Sequence, residues 1–486
     1  MKKEITTLTL LFASLMAGAT DYFISPTGSD NNTGTTKATP FASLSKVQQL
    51  VKAGDNVFIL PGTYNVTEAE IMDRTSSTVW DIVYDFAVNG TESKHICYKG
   101  IQDNNGKRPV FNLSAVNTGK RITAFYVRGK YLDFSGFEVV GLNVPKSSAN
   151  TQSENFRING GSHCTFEYIA AHDGMGIGFY LTGRSDYNVL TNCDAYNNFD
   201  SVNISVNNGG NSDGFGCHVA AGYNGNKFVY CRAWQNSDDG FDFINCQSPA
   251  TAEYCIAYRN GYDKDGNKRA DGNGFKAGGY GMSKAVSIAD VPTHVVSHCL
   301  SVANKANGFY SNHHLGGIKF EYNSAYKNSG YDYSMICRRG QTLDDAVDVD
   351  GYGHILKNNV AFGSTKIIYG IDVEKCDIDG NSFSFSNGVW TNEEFSVSDF
   401  VSLSQKELTA ERKSNGSLPD IYFMQFKDSS KQYGYGTFNS SPTGITTINE
   451  SSSKRSDLYV SINGLSTTKP LPGHLYIHNG KKVVVR

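Results

Sequence analysis

"NCDAYNN" (192–198), "YCRAWQN" (230–236), "YCIAYRN" (254–260), "HCLSVAN" (298–304) and "YNSAYKN" (322–328) are versions of one phrase. "NNVAFGS" (358–364) is a weaker copy, and "YIAAHDG" (168–174) is an earlier one. Their second residues are Ile169, Cys193, Cys231, Cys255, Cys299, Asn323 and Asn359, with spacings of 24, 38, 24, 44, 24 and 36. The unit is 24 residues, and the longer steps carry insertions. A period of this size belongs to stacked coils. The units alternate apolar and polar residues and lack the long 3.6-residue periodicity of helical repeats. The expected fold is all-β, a right-handed parallel β-helix with rungs about 4.8 Å apart.

Two columns follow from this register. Five positions after each anchor stand Asn198, Asn236, Asn260, Asn304 and Asn328. Stacked amides at one position form a ladder along the axis, although turn preference alone also favours asparagine. Cys193, Cys231, Cys255 and Cys299 share a second column among apolar neighbours and read as small buried thiols, mostly unpaired.

A third column carries the chemistry. "SDGFG" (212–216), "DDGFD" (238–242), "GNGFK" (272–276) and "ANGFY" (306–310) align on Phe215, Phe241, Phe275 and Phe309. Asp213 and Asp239 then lie two residues before the aromatic on adjoining rungs. Asp242 follows its aromatic, and Asp238 sits beside Asp239. If the aromatics point inward, the residues after them point outward. Four carboxylates from two rungs therefore converge, with Lys276 one rung on in the column of Asp242. Oxygen donors without histidine or cysteine suit Ca²⁺. A purely structural ion and a plain acidic turn are the other readings. The extra residues before Asp213 and those ending at Lys276 both fall between ladder and strand, where loops wall a groove.

A Ca²⁺ ion beside a lysine suits an acidic sugar. The metal neutralises a uronate carboxylate and favours loss of the C5 proton. Lys276 is placed as the base for β-elimination, or as an ion-pair partner of the aspartates. Beyond it, Arg338, Arg339 and His313 are candidates to hold neighbouring uronates, and Tyr310 to stack on a sugar. For Arg338, Arg339 and His313 a surface charge or solvated loop is the slightly favoured reading, and Tyr310 reads also as a cover for the coil.

"NSDGFG", "NSDDGFD" and "GNGFKAGG" resemble the polysaccharide lyase family 9 pattern of β-helical pectate lyases, over about Asp21 to Phe426. The resemblance implies Asp213, Asp238, Asp239 and Asp242 as calcium ligands and Lys276 as the base. The partner it implies is pectin, an acidic plant cell-wall polysaccharide, with either a homogalacturonan or a rhamnogalacturonan backbone. A polygalacturonase-type hydrolase and a non-catalytic, calcium-stabilised glycan binder remain as rival readings.

The flanks complete the expectation. Lys2, Lys3, the apolar run Leu8 to Met16 and Ala17-Gly18-Ala19 read as an export signal. The segment Pro40 to Asn65 reads as a short capping helix and a strand. Asp399 to Phe423 reads as a return segment, and Ser440 to Ser453 as a linker. The last strand-like stretch weakly resembles bacterial sorting tails, or is a simple hairpin. The expected division is a signal at 1–19, a β-helix domain at 20–426 and a linker with a small β tail at 427–486. Net charge is −3 and no long basic run occurs, which argues against nucleic acid. No later segment reads as a membrane span, so an exported or surface-held monomer of bacterial origin is expected.

Overall fold

The computed structural model describes residues 18–74, 79–144, 152–202, 208–279, 290–339, 347–431 and 433–435, and the backbone of four later strands. The expected export signal and the serine-rich linker lie outside the described residues, apart from the end of the signal segment. The fold divides into two units, residues 1–395 with 432–435, and residues 396–431 with 436–486. Among the described residues no helix is long and apolar enough to cross a membrane.

The first unit is a right-handed parallel β-helix. Three parallel sheets of 12, 10 and 10 strands run its length, and successive strands of each sheet come from successive coils. The sheet beneath the acidic motifs runs from Trp80–Phe86 through Arg121–Val127, Glu154–Asn159, Ile177–Gly183 and Phe215–Val219. It continues through Phe241–Asp242, Phe275–Lys276, Phe309–Tyr310 and Tyr333–Ser334 to Ile368–Tyr369. Inside it Phe125, Phe156, Phe179, Phe215, Phe241, Phe275, Phe309 and Tyr333 stack with centroids 4.7–5.2 Å apart. That separation is the strand spacing itself, so each ring packs on its equivalent one rung away.

The asparagine column is a hydrogen-bonded ladder. Asn198 Nδ2 donates to Asn236 Oδ1 at 3.0 Å, Asn236 to Asn260 at 3.1 Å, Asn260 to Asn304 at 3.1 Å and Asn304 to Asn328 at 3.0 Å. Each amide is buried and satisfies backbone groups at a turn that no sheet bond reaches. The ladder also explains the glycine before each aromatic. A Cβ at Gly240, Gly274 or Gly308 would stand 2.7–2.8 Å from the Nδ2 of the next ladder asparagine. On the last such rung the glycine is replaced by Asp332, whose Oδ1 accepts from Asn328 Nδ2 at 3.0 Å and closes the ladder.

The cysteines behave as expected. All ten are free, and the column thiols donate to carbonyls of the preceding coil, as Cys231 does to Leu190 at 3.4 Å. Asn323 and Asn359 continue that column with the same donor role, to Val296 and Phe320. Residues before the anchors, among them Tyr230, Tyr254, His298 and Tyr322, have φ of 54–55°. Left-handed residues there let the chain turn sharply between sheets.

Helix Leu44–Gln48, N-capped by Ser43, packs against Trp80–Phe86 with Leu44 and Val47 buried. It thus covers the first strand of the motif-bearing sheet. In the second unit Phe400 pairs with Phe426 (ring centroids 4.7 Å apart), Leu408, Ile421 and Phe423 are buried, and four antiparallel strands form a separate sheet.

Candidate active site

The register places Phe215 opposite Phe241 and Phe241 opposite Phe275, with Asp242 paired to Lys276 and Lys276 to Tyr310. Because the phenylalanines face the core, these partners face outward. The column two residues earlier is a second ladder in which acids replace amides. Asn307 Nδ2 donates to Asn273 Oδ1 at 3.0 Å, Asn273 Nδ2 to Asp239 Oδ1 at 2.9 Å, and Asp239 N to Asp213 Oδ1 at 3.0 Å.

Oxygens of Asp213, Asp238 and Asp239 lie within 4.8 Å of one another. Asp242 lies outside that set and joins it through Lys276. Its Oδ1 accepts from Ile244 N at 2.7 Å and its Oδ2 is 3.4 Å from Lys276 Nζ. The same ammonium is 3.1 Å from Asp239 Oδ2. It is also 3.4 Å from Asp271 Oδ2, a fifth carboxylate that the motif alignment omits because it stands in an insertion with no counterpart on other coils. Both inserted loops are tied to Asp238: Asn211 N donates to its Oδ2 at 2.8 Å and Asp271 N to its Oδ1 at 3.0 Å.

The electrostatics ask for a cation. Burial, then repulsion from the neighbouring acids, drives Asp213 well above the carboxylate range. The same causes push Asp238 up to about 8. Burial pushes Asp239 up to about 6 against the pull of Lys276. Burial opposes the Lys276 charge, yet Asp239, Asp242, Asp238 and Asp213 outweigh it and hold the ammonium above the ordinary lysine range. Asp239 Oδ2 is buried with no directed hydrogen bond. Buried Asp213 and Asp239 and the partly buried Asp238 beside one ammonium leave negative charge uncompensated, and an oxygen-ligated divalent cation fits them.

The residues expected to flank the substrate are brought near one another with one addition. His313 Nδ1 is 2.8 Å from Asp348 Oδ1, and Arg338 Nη2 is 3.7 Å from the same oxygen. The Tyr310 ring meets the His313 ring at 6.0 Å, and burial pushes the Tyr310 hydroxyl up to about 12. Arg338 and Arg339 stand on Cys337–Arg339, which pairs antiparallel with Val347–Val349, so they belong to a hairpin and not to a coil rung. The Arg339 side chain lies outside the described residues. The second insertion is also split. Asn260 to Phe275 spans 15 residues where Asn236 to Phe241 spans 5, and Phe275 to Val295 spans 20 where Phe241 to Thr251 spans 10. Sequence alignment on the aromatics also passed over Tyr180 and His218. They lie on the same sheet, with Tyr180 Oη and His218 Nδ1 3.2 Å apart.

A family model described as "Pel9A-like, right handed beta helix region" matches residues 22–359. The chain belongs to this family. Pectate lyase L of Dickeya dadantii (strain 3937) is 30% identical over 421 residues, 86% of each chain. Pectate lyase PEL9 of Emericella nidulans is 26% identical over 87% of this chain and 96% of its own. Among solved structures, a rhamnogalacturonan lyase superposes with a TM-score of 0.79 and 41% identity over 86% of this chain and all of its own. Pectate lyase Pel9A superposes at 0.64 with 28% identity, over 85% of this chain and 91% of its own. This Pel9A-like protein is a polysaccharide lyase, and that reading stands over the hydrolytic and the non-catalytic ones.

Proposed function

We propose that this enzyme cleaves the galacturonate-containing backbone of pectin by calcium-dependent β-elimination, outside the cell that makes it. The observation that carries the proposal is the position of Lys276 Nζ, 3.1 Å from Asp239 and 3.4 Å from Asp242, at the edge of the carboxylate cluster. Asp213, Asp238 and Asp239 would hold the ion, and Asp242, which stands outside that set with its Oδ2 on Lys276, would have to move to join them. When bound, calcium supplies charge that neutralises the substrate carboxylate and acidifies the adjacent C–H.

The same four acids explain how a lysine acts as base here. While their charge is uncompensated they keep Lys276 protonated. Once it is compensated, burial is what remains, and burial favours the neutral amine. The amine then accepts the C5 proton of a uronate seated on the outer face, the C5 electron pair forms the C4–C5 double bond as the C4–O bond breaks, and water protonates the departing oxygen. Tyr310, one rung on, floors the neighbouring sugar. His313 and Arg338 offer donors to a further carboxylate in competition with Asp348.

The rhamnogalacturonan backbone is the favoured substrate, supported by the higher identity to the rhamnogalacturonan lyase structure than to Pel9A. The test is ultraviolet absorbance of the 4,5-unsaturated product on rhamnogalacturonan and on polygalacturonate, with calcium and with chelator. Absorbance that needs calcium and is lost in Lys276→Ala, with the fold intact, is expected. Reducing ends without absorbance, or near-normal turnover by Lys276→Ala, would overturn the reading.

A further inference from the structure

We propose that Arg157 forms a second carboxylate-binding subsite for the polysaccharide, on the N-terminal side of the carboxylate cluster. The proposal rests on the lyase reading above and extends it to how much of the chain the enzyme grips.

The register places Arg157 opposite Tyr180, Tyr180 opposite Gly216, and Gly216 opposite Asp242. Arg157 therefore shares one outward column with Asp242 and Lys276, three rungs from Asp242, or about 14 Å at the strand spacing. Between them the column carries one side chain, the Tyr180 ring, which leans over Gly216. Gly216 presents no side chain, and a Cβ there would meet the Tyr180 ring at 2.9 Å. A sugar chain laid along the sheet from Lys276 passes over this gap and the Tyr180 ring before reaching Arg157.

The guanidinium is held ready for an anion. Its Nη1 donates to Glu154 Oε1 at 2.8 Å, and Glu154 is fully buried and fixed by Thr123 Oγ1 at 2.8 Å. Its plane is steadied by Trp80 (4.6 Å to the ring centroid) and Tyr180 (5.5 Å). Among the described residues no other acceptor takes its remaining N–H groups, yet the side chain is 17% exposed. A held, partly desolvated fork with spare donors is suited to a planar carboxylate. Beyond Tyr310 and off this column, His313 and Arg338 face Asp348, so Arg157 is the cation better placed to take a second uronate.

The test uses the full chain carrying Lys276→Ala, so that ligand is not consumed, with calcium present. Oligomers of both pectic backbones, two and eight sugars long, are titrated calorimetrically. Arg157→Met is combined with Glu154→Gln, which removes the buried carboxylate that would otherwise be stranded. Unchanged calcium affinity and circular dichroism report an intact fold. The long oligomer is expected to bind about tenfold to a hundredfold more weakly to this variant, the worth of a charge-assisted pair. The short oligomer, which ends near the calcium rung, is expected to lose little. Arg157→Lys, which keeps the ion pair and lacks the fork, falls between. If the Lys276→Ala parent binds long oligomers and the double change leaves that affinity unaltered, the subsite is wrong while the lyase reading stands. If the parent binds no oligomer of either backbone, both fall.

Discussion

Asp332→Asn is expected to make the protein more stable at alkaline pH and to leave it unchanged in acid. Asp332 is fully buried and closes the asparagine ladder through Asn328. Burial pushes its carboxyl up to about 7, against the hydrogen bonds from Asn328. In the unfolded chain the same group titrates near 3.9. Between about pH 4 and pH 7 the unfolded chain therefore gives up a proton that the native state keeps. Stability falls as pH rises through that window, and the loss is complete above it. Three pH units at about 1.36 kcal/mol each come to roughly 4 kcal/mol. Asparagine keeps the acceptor for Asn328 and never ionises, so the variant escapes the loss. Urea unfolding of both proteins in chelator, at about pH 4 and about pH 8, isolates the effect, because every other titrating group cancels in the difference. The reasoning fails if the two stabilities differ by the same amount at both pH values, or if the variant is the weaker one above pH 7.

Two further outcomes follow from other buried polar groups. Asn260→Ala removes four hydrogen bonds, to Ala233 O, to Asn304 Oδ1 and from the backbone and side chain of Asn236. At about 1 kcal/mol each the cost is about 4 kcal/mol, read by urea unfolding, and a loss below about 1 kcal/mol contradicts the ladder's role. His314 and His354 are buried and pushed down to about 4, and burial holds His294 lower than the ordinary range too. Their unfolded values lie near 6.5, so stability present above that pH is lost as pH falls towards 4, by about 3 kcal/mol for each of the first two. His354→Gln is expected to flatten the acid limb of the stability curve, and an unaltered limb counts against it.

Much of the molecule was legible because a solenoid converts sequence period into spatial neighbourhood. Once Phe215, Phe241, Phe275 and Phe309 are aligned, every residue at a fixed offset becomes a column. Asp213 beneath Asp239 and Asp242 beside Lys276 follow from counting. The buried thiols and the amide ladder follow the same way. Asp271, by contrast, sits in an insertion without phase, and nothing in its spacing says it will reach Lys276. Asp348 comes from a hairpin that leaves the coil, so its meeting with His313 and Arg338 was equally hidden. Arg157 lay in a column the repeat alignment did not reach, because the early coils lack the phrase that marks the later ones.

By itself, then, the order of residues determined the coil, its columns and the gathering of acids from two rungs, because these depend only on repeat length and on the alternation of side chains along a strand. Which oxygens lie within 4.8 Å, with Asp213, Asp238 and Asp239 together and Asp242 apart, was decided only by the tertiary structure. So was the hold of Asp239, Asp242 and Asp271 around one ammonium. Those distances depend on the paths of inserted loops and on how far each side chain is buried, and neither is periodic.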